Sequence, residues 1–241
     1  MPTKTLSVPK VSRRTATIAV ITAVVLVAAA LIGGEAYARH RIASCISTQF
    51  EQEMGSKIDV GFGAKPLLIT MIDGKVSRMN VDSEGAEFGP AVDMQVHAQF
   101  HDLQMPDGSN SASTVGSSDA DVSWSNEGIS QTLKGLVSEV QSDPGTGQLT
   151  MQVLGGFGEL QLTPQVVDGK VQLQVAQAQF LGIGVPDDLA EGVVNMMTES
   201  MQQYPMGLQP TDLRVTDNGI ELDLHGERAE LPPPAEGSTS C

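Results

Sequence analysis

From Thr15 to Gly34 the chain carries no charged residue, and the first 18 of these positions, through Ile32, are all Ala, Val, Ile, Leu or Thr. As a helix rising ~1.5 Å per residue, such a run crosses a hydrocarbon core of ~30 Å. Lys4, Lys10, Arg13 and Arg14 precede it with no acid among them, so the positive-inside rule places the N-terminus in the cytoplasm. The expected layout is a cytoplasmic tail over 1–14, a transmembrane signal-anchor helix over 15–34 and an ectodomain over 39–231. An extended tail over 232–241 opens with Pro232, Pro233 and Pro234. The rival reading is a cleaved signal peptide, because Ala36-Tyr37-Ala38 has the small-x-small form of a cleavage site. The apolar run, however, exceeds the ~7–15 residues of a signal h-region. On either reading the remainder is exported. The first makes this a single-pass protein of the cell membrane, with its ectodomain in the periplasm or cell envelope.

Charge narrows the partners. The formal net charge is −15, and beyond residue 38 there are 10 Lys and Arg against 28 Asp and Glu. Nucleic acid is therefore excluded as an expected partner. An anionic bilayer surface also repels so acidic a domain, so lipid contact must use apolar surface or a pocket. Aromatics make up only 4% of the chain, too few for base-stacking or carbohydrate platforms.

Export gives the two cysteines meaning, because thiols oxidise outside the cytoplasm. A Cys45–Cys241 bridge would tie the C-terminal tail to the base of the ectodomain; a free or an intermolecular thiol stays open. Ile42-Ala43-Ser44-Cys45 loosely resembles a lipoprotein box, but Arg39, His40 and Arg41 separate it from the apolar run.

Ile42, Cys45, Ile46, Phe50 and Met54 lie at helical spacings and predict an amphipathic helix over 38–54. Val92, Met94, Val96, Ala98 and Phe100 alternate with polar residues, so a long strand buries one face. Similar alternation marks Leu160–Thr163 and Ile220–Leu224. Between Val171 and Phe180 the apolar parity switches from odd to even, which predicts a bulge near Val175-Ala176 and a strongly curved sheet. Asp73-Gly74, Asp168-Gly169 and Asn218-Gly219 each read as hairpin turns. Asn126 can cap a helix whose face is Ile129, Leu133, Leu136, Val137 and Val140. Another helix starts at Pro186 with Asp187, Asp188 and Glu191 in its first turns, and presents Leu189, Val193, Met196, Met197, Met201 and Tyr204. Residues 106–118, rich in Ser, Gly and Asn, read as a loop. The element order is α+β: long antiparallel strands with few helices laid on one face.

Catalytic chemistry is not legible. No G-x-S-x-G, P-loop, G-x-G-x-x-G, H-E-x-x-H or C-x-x-C occurs. His97 and His101 are four apart, but on a strand that is ~13 Å, too far to share a zinc ion. The acids are scattered, without a calcium loop. No metal, cofactor or catalytic residue is expected, and an unrecognised hydrolase is the weakest reading. The methionines are more informative, since flexible thioethers suit a surface that repacks around variable acyl chains. Val92, Met94, Val96 and Phe100 facing Val193, Met196, Met197 and Met201 would line an apolar cavity, with Phe157 and Phe180, each beside glycines, at its mouth.

Val60-Gly61-Phe62 followed by Pro66-Leu67-Leu68-Ile69-Thr70-Met71-Ile72-Asp73-Gly74-Lys75-Val76 resembles the Gly-Phe-Pro-Phe-Leu-Thr…Gly-x-Val stretch of the LmeA-like family of actinobacterial envelope proteins. Residues 63–65 intervene, and Leu67 stands where the family carries an aromatic. Leu208, Pro210, Leu213-Arg214-Val215, Asn218-Gly219-Ile220 and Leu224-x-Gly226 are similar to the family's final hairpin. The resemblance implies an exported, non-enzymatic phospholipid-binding protein linked to lipoglycan assembly. It also implies a tubular lipid-binding (TULIP-like) architecture: a long curved antiparallel sheet wrapped around helices, enclosing an apolar tunnel. The expected function is anchored phospholipid binding or lipid transfer. The alternative is a scaffold or accessory subunit of an envelope glycosyltransferase, with the same fold filled solid.

Overall fold

The computed structural model describes residues 13–54, 57–88, 91–105, 113–180, 187–201, 204 and 207–231. The apolar run and the amphipathic stretch after it form one helix, α1 (Arg13–Met54), rather than two. No proline interrupts it, and Gly33-Gly34 is tolerated within so long an apolar stretch. Its membrane-length part is wholly exposed and long and apolar enough to cross a bilayer. Past residue 40, Ile42, Cys45 and Ile46 are half-buried. There the helix lies along β1 (Ile58–Phe62), with the Ser47 hydroxyl donating to the Ile58 carbonyl at 2.5 Å.

Pro66 then starts a short helix, α2 (Leu67–Asp73), where the sequence predicted a hairpin at Asp73-Gly74. Gly74 takes the left-handed conformation (φ 66°) and caps the helix, its N–H donating to the Thr70 carbonyl. A left-handed glycine serves a hairpin turn and a helix end equally well. Next come β2 (Lys75–Phe88), β3 (Ala91–Gln104), β4 (Ser113–Val115) and β5 (Ser117–Ser125). The last two occupy part of the predicted 106–118 loop, of which 106–112 lie outside the described residues. With β10 (Gln209–Thr216), β11 (Gly219–Gly226) and β12 (Ala229–Leu231) they make an eight-stranded antiparallel sheet in the order β1-β2-β3-β5-β11-β10, with β4 paired to the end of β3 and β12 paired to β4.

On β3 the expected alternation holds from Met94 to Phe100 and fails at both ends. Asp93 (φ 59°) and Asp102 (φ 52°) have left-handed backbones that re-aim the strand. Ala91 is therefore fully buried, and Val92 is only half-buried.

The second sheet is a four-stranded meander: β6 (Val137–Asp143), β7 (Gln148–Val153), β8 (Gly158–Val167) and β9 (Lys170–Phe180). The turn at Asp168-Gly169 joins β8 to β9 as the sequence predicts; the predicted hairpin between β10 and β11 forms too, but its turn is Asp217-Asn218 and Gly219 opens β11 opposite Thr216. The bulge is also where parity places it. Gln161 pairs with Gln177 and Leu162 with Val175, which leaves Ala176 unpaired.

Between the sheets lies α3 (Asn126–Thr132), shorter than predicted and capped by Ser125, whose hydroxyl accepts from the Gly128 N–H at 3.0 Å. Asn126, the expected cap, instead donates from its amide to the Ser142 hydroxyl. Val137 and Val140 belong to β6, not to this helix. The last helix, α4 (Asp187–Ser200), packs chiefly on β9, and its predicted face holds from Val193 onward, with Val193 and Met197 fully buried, while the Leu189 side chain lies outside the description. Both sheets, α3 and α4 contribute to one continuous hydrophobic core.

Candidate functional site

The inward face of the large sheet is built in cross-strand rows. Met94, Trp124 and Ile220 form one row; Val96, Val122 and Leu222 the next; Ala98, Ala120 and Leu224 a third. Phe100 follows at 3% exposure, opposite Ser118. The same core takes Val193, Met197 and Met201 from α4 and its end, with Val96 and Met196 partly buried against it. The predicted strand and helix stripes thus meet in one apolar interior, except Val92, whose place Ala91 takes.

Phe157 is 66% exposed, after a turn in which Leu154, Gly155 and Gly156 all have positive φ. It sits next to Gly158, which pairs with Phe180. The two predicted mouth residues therefore share one end of the β8–β9 hairpin, although the Phe180 side chain lies outside the description. Tyr204 is half-buried, and burial pushes its phenol well above the ordinary value.

The opposite face of the large sheet is polar and acidic. Asp59, Asp82, His97, Asp121, Asp223 and Asp212 form a single cross-strand row, one residue per strand across β1, β2, β3, β5, β11 and β10. Like charges directly opposite one another are unfavourable. Arg214 offsets part of this through Asp223 and Asp212 at 3.0 and 3.1 Å, and the His97 ring contacts Asp82. Those carboxylates, Asp223 foremost, raise the Arg214 guanidinium further above its ordinary value. A surface hollow of about 420 Å³ lies over this row. His97 and His101 both lie on β3, as expected, and no described group of three His, Cys, Asp or Glu side chains converges as metal ligands would.

At the foot of the sheet α1 is clamped. The Glu35 carboxylate accepts from the Leu67 and Leu68 N–H groups at 2.7 and 3.1 Å and from Arg39 Nε at 2.7 Å. The Arg39 guanidinium also donates to the carbonyls of Phe62, Gly63 and Lys65 at 2.9–3.0 Å. The profile of proteins described as LmeA-like phospholipid-binding matches residues 29–225, from inside α1 to the end of β11.

The chain belongs to the LmeA-like family. Three curated relatives, one from Mycobacterium bovis and two from Mycobacterium tuberculosis, are each 27% identical over 217 residues, or 86% of this chain, and each is described as an uncharacterized protein. The chain spans 62% of the length of these relatives. No solved structure matches it at a significant level.

In this LmeA-like chain the Gly-Phe…Pro-Leu segment is a structural clasp. Its carbonyls hold Arg39 and its first helical N–H groups hold Glu35, so the end of the apolar helix is tied to the edge of the sheet. Sequence reasoning missed both residues. The available signal was an acid and a base at i and i+4 directly after an uncharged helical run.

The Cys45–Cys241 bridge is a proposal. No described cysteine is free, and Cys241 lies outside the described residues. Peptide mapping without reductant should recover the Cys45 and Cys241 peptides linked; two alkylatable thiols in protein purified without reductant would refute the bridge.

Proposed function

We propose that this protein is a membrane-anchored, extracytoplasmic phospholipid-binding or lipid-transfer protein that serves envelope lipid or lipoglycan assembly by sequestering acyl chains in its interior. The observation that carries this reading is the composition of that interior. Met94 from β3, Met151 from β7 and Met197 and Met201 from the α4 side are all buried in one cluster, with Met79 and Met196 packed against it. Unbranched thioethers exchange side-chain contacts for acyl-chain contacts at low cost. Each methylene removed from water contributes ~0.8 kcal/mol, so a chain admitted between α4 and the sheets is held without any basic patch. The tunnel would open as α4 yields, and Phe157 marks its mouth. Belonging to a family described as phospholipid-binding supports the ligand class; the mechanism is sequestration rather than chemistry.

The second reading, an accessory subunit of an envelope glycosyltransferase, draws on the hollows found among the described residues. The three described hollows, of about 420, 210 and 270 Å³, are lined largely by polar residues.

A phospholipid carrying a photoactivatable group on its acyl chain separates the two readings. Irradiating the full chain in bilayers that contain it should place adducts on the segments bearing Met94–Phe100 and Val193–Met201. Adducts confined to the apolar part of α1 would show lipid contact only through the bilayer and would favour the accessory reading.

A further inference from the structure

We propose that α2 is a foot by which the ectodomain rests on the bilayer surface, its exposed isoleucines inserted beside the point where α1 emerges. The proposal rests on the anchored reading above and adds an orientation and a second contact surface to it.

Three sets of hydrogen bonds between α1 and the segment that follows it set the geometry. As α1 is followed back toward the apolar run, Ser47 meets Ile58, Arg39 meets Phe62, Gly63 and Lys65, and Glu35 meets Leu67 and Leu68. β1 and the loop after it therefore run down α1 toward the membrane, and β2 runs back up, antiparallel to β1. The helix between them is the lowest part of this edge of the sheet. Its first N–H groups are hydrogen-bonded to Glu35, the first charged residue after a run of 20 uncharged positions that spans ~30 Å as a helix. The clamp thus fixes the start of α2 at the hydrocarbon boundary.

Unlike an ordinary surface helix, α2 is apolar on its outer face as well as its inner one. Leu67 and Thr70 face inward at 3% and 5% exposure, whereas Ile69 and Ile72 face outward at 49% and 87%. Met105, whose N–H donates to the Gly74 carbonyl, adds a third apolar side chain at 56%. An outward apolar set beside a membrane-length helix fits an interface in which short apolar surfaces sink to the headgroup boundary.

Charge segregates the same way. Of the ten Lys and Arg beyond residue 38, six lie between Arg39 and Arg78, alongside four acids, while residues 79–241 hold four against 24. The segment that carries α2 is thus the stretch of the domain an anionic leaflet repels least, and the aspartate row on the sheet face stays in water. Near the foot, Lys65 contacts Asp73 at 2.6 Å and holds its carboxyl below the ordinary range.

The test uses the full chain in nanodiscs of phosphatidylcholine and phosphatidylglycerol whose acyl chains are brominated near the carbonyl. Ile72→Trp is tolerated by the fold, being exposed, and Trp124, the one native tryptophan, is buried and gives a constant background. Its added emission should be blue-shifted and quenched about twofold by the brominated lipid. Val175→Trp, 47% exposed on the second sheet, should not be quenched. Equal, weak quenching of the two, with the chain resisting carbonate extraction from host membranes, would overturn the foot while leaving the anchor standing. Release of the chain by carbonate would remove the anchor, and the foot with it.

Discussion

Trp124→Ala should destabilise the protein by about 3–5 kcal/mol, the range for truncating a large buried aromatic. Trp124 is 1% exposed, lies in the row between Met94 and Ile220, and donates from its indole Nε1 to the Val92 carbonyl at 3.0 Å. It also seats α3, the element that leads from the first sheet to the second. A Cβ at Gly128 would come within 2.7 Å of the Val92 oxygen and 3.1 Å of the Trp124 ring, so helix and indole are in close contact. Removing the ring leaves a cavity that neither strand nor helix can fill without shifting. Urea unfolding should be followed by far-UV circular dichroism, because the substitution removes the only tryptophan. Trp124→Phe, which keeps most of the buried area and loses the donor, should fall between wild type and Ala. An Ala variant within about 1 kcal/mol of wild type would contradict the placement of Trp124 at this junction.

What could be read from the sequence, and what could not, follows from how local each signal is. The membrane-length run, the β3 alternation and the parity switch that left Ala176 unpaired all depend on residues within one element, and each reappears in the fold. The helix expected through Val140 failed for a local reason of another kind. Val137 pairs with Val153 and Glu139 with Gln152, so Ser138 is the extra residue of a bulge and both Val137 and Val140 face the core three positions apart. A bulge produces that spacing as readily as a helix does, and α3 has already ended at Thr132, before Gly135 turns the chain at φ 97°.

Asp-Gly-Lys-Val occurs twice, ending a helix at Asp73-Gly74 and turning a hairpin at Asp168-Gly169. The tetrapeptide specifies only the left-handed glycine, and the flanking packing decides its use. In the candidate site, the stripes of β3 and α4 were legible, whereas the Glu35 and Arg39 clamp was not. Their partners lie 23–33 residues away, and pairing of that kind is created by the fold.

Met197→Trp should remove most of the phospholipid that accompanies the protein while leaving its far-UV spectrum intact. Met197 has no exposed surface and faces the same interior as Met94 and Phe100. If acyl chains enter by displacing its flexible side chain, a rigid indole there occupies the volume they need. If the interior is permanently solid, the same change overpacks it at ~1–3 kcal/mol, with no lipid to lose. Gln95→Trp, on the polar face of β3, should change neither quantity. Bound phospholipid per chain, extracted and quantified by mass spectrometry from wild type and Met197→Trp purified in parallel, tests the account most directly. The account predicts phospholipid in the wild type and little in the variant. A wild type without lipid, or a Met197→Trp protein that loses stability but keeps the wild-type amount, would contradict it.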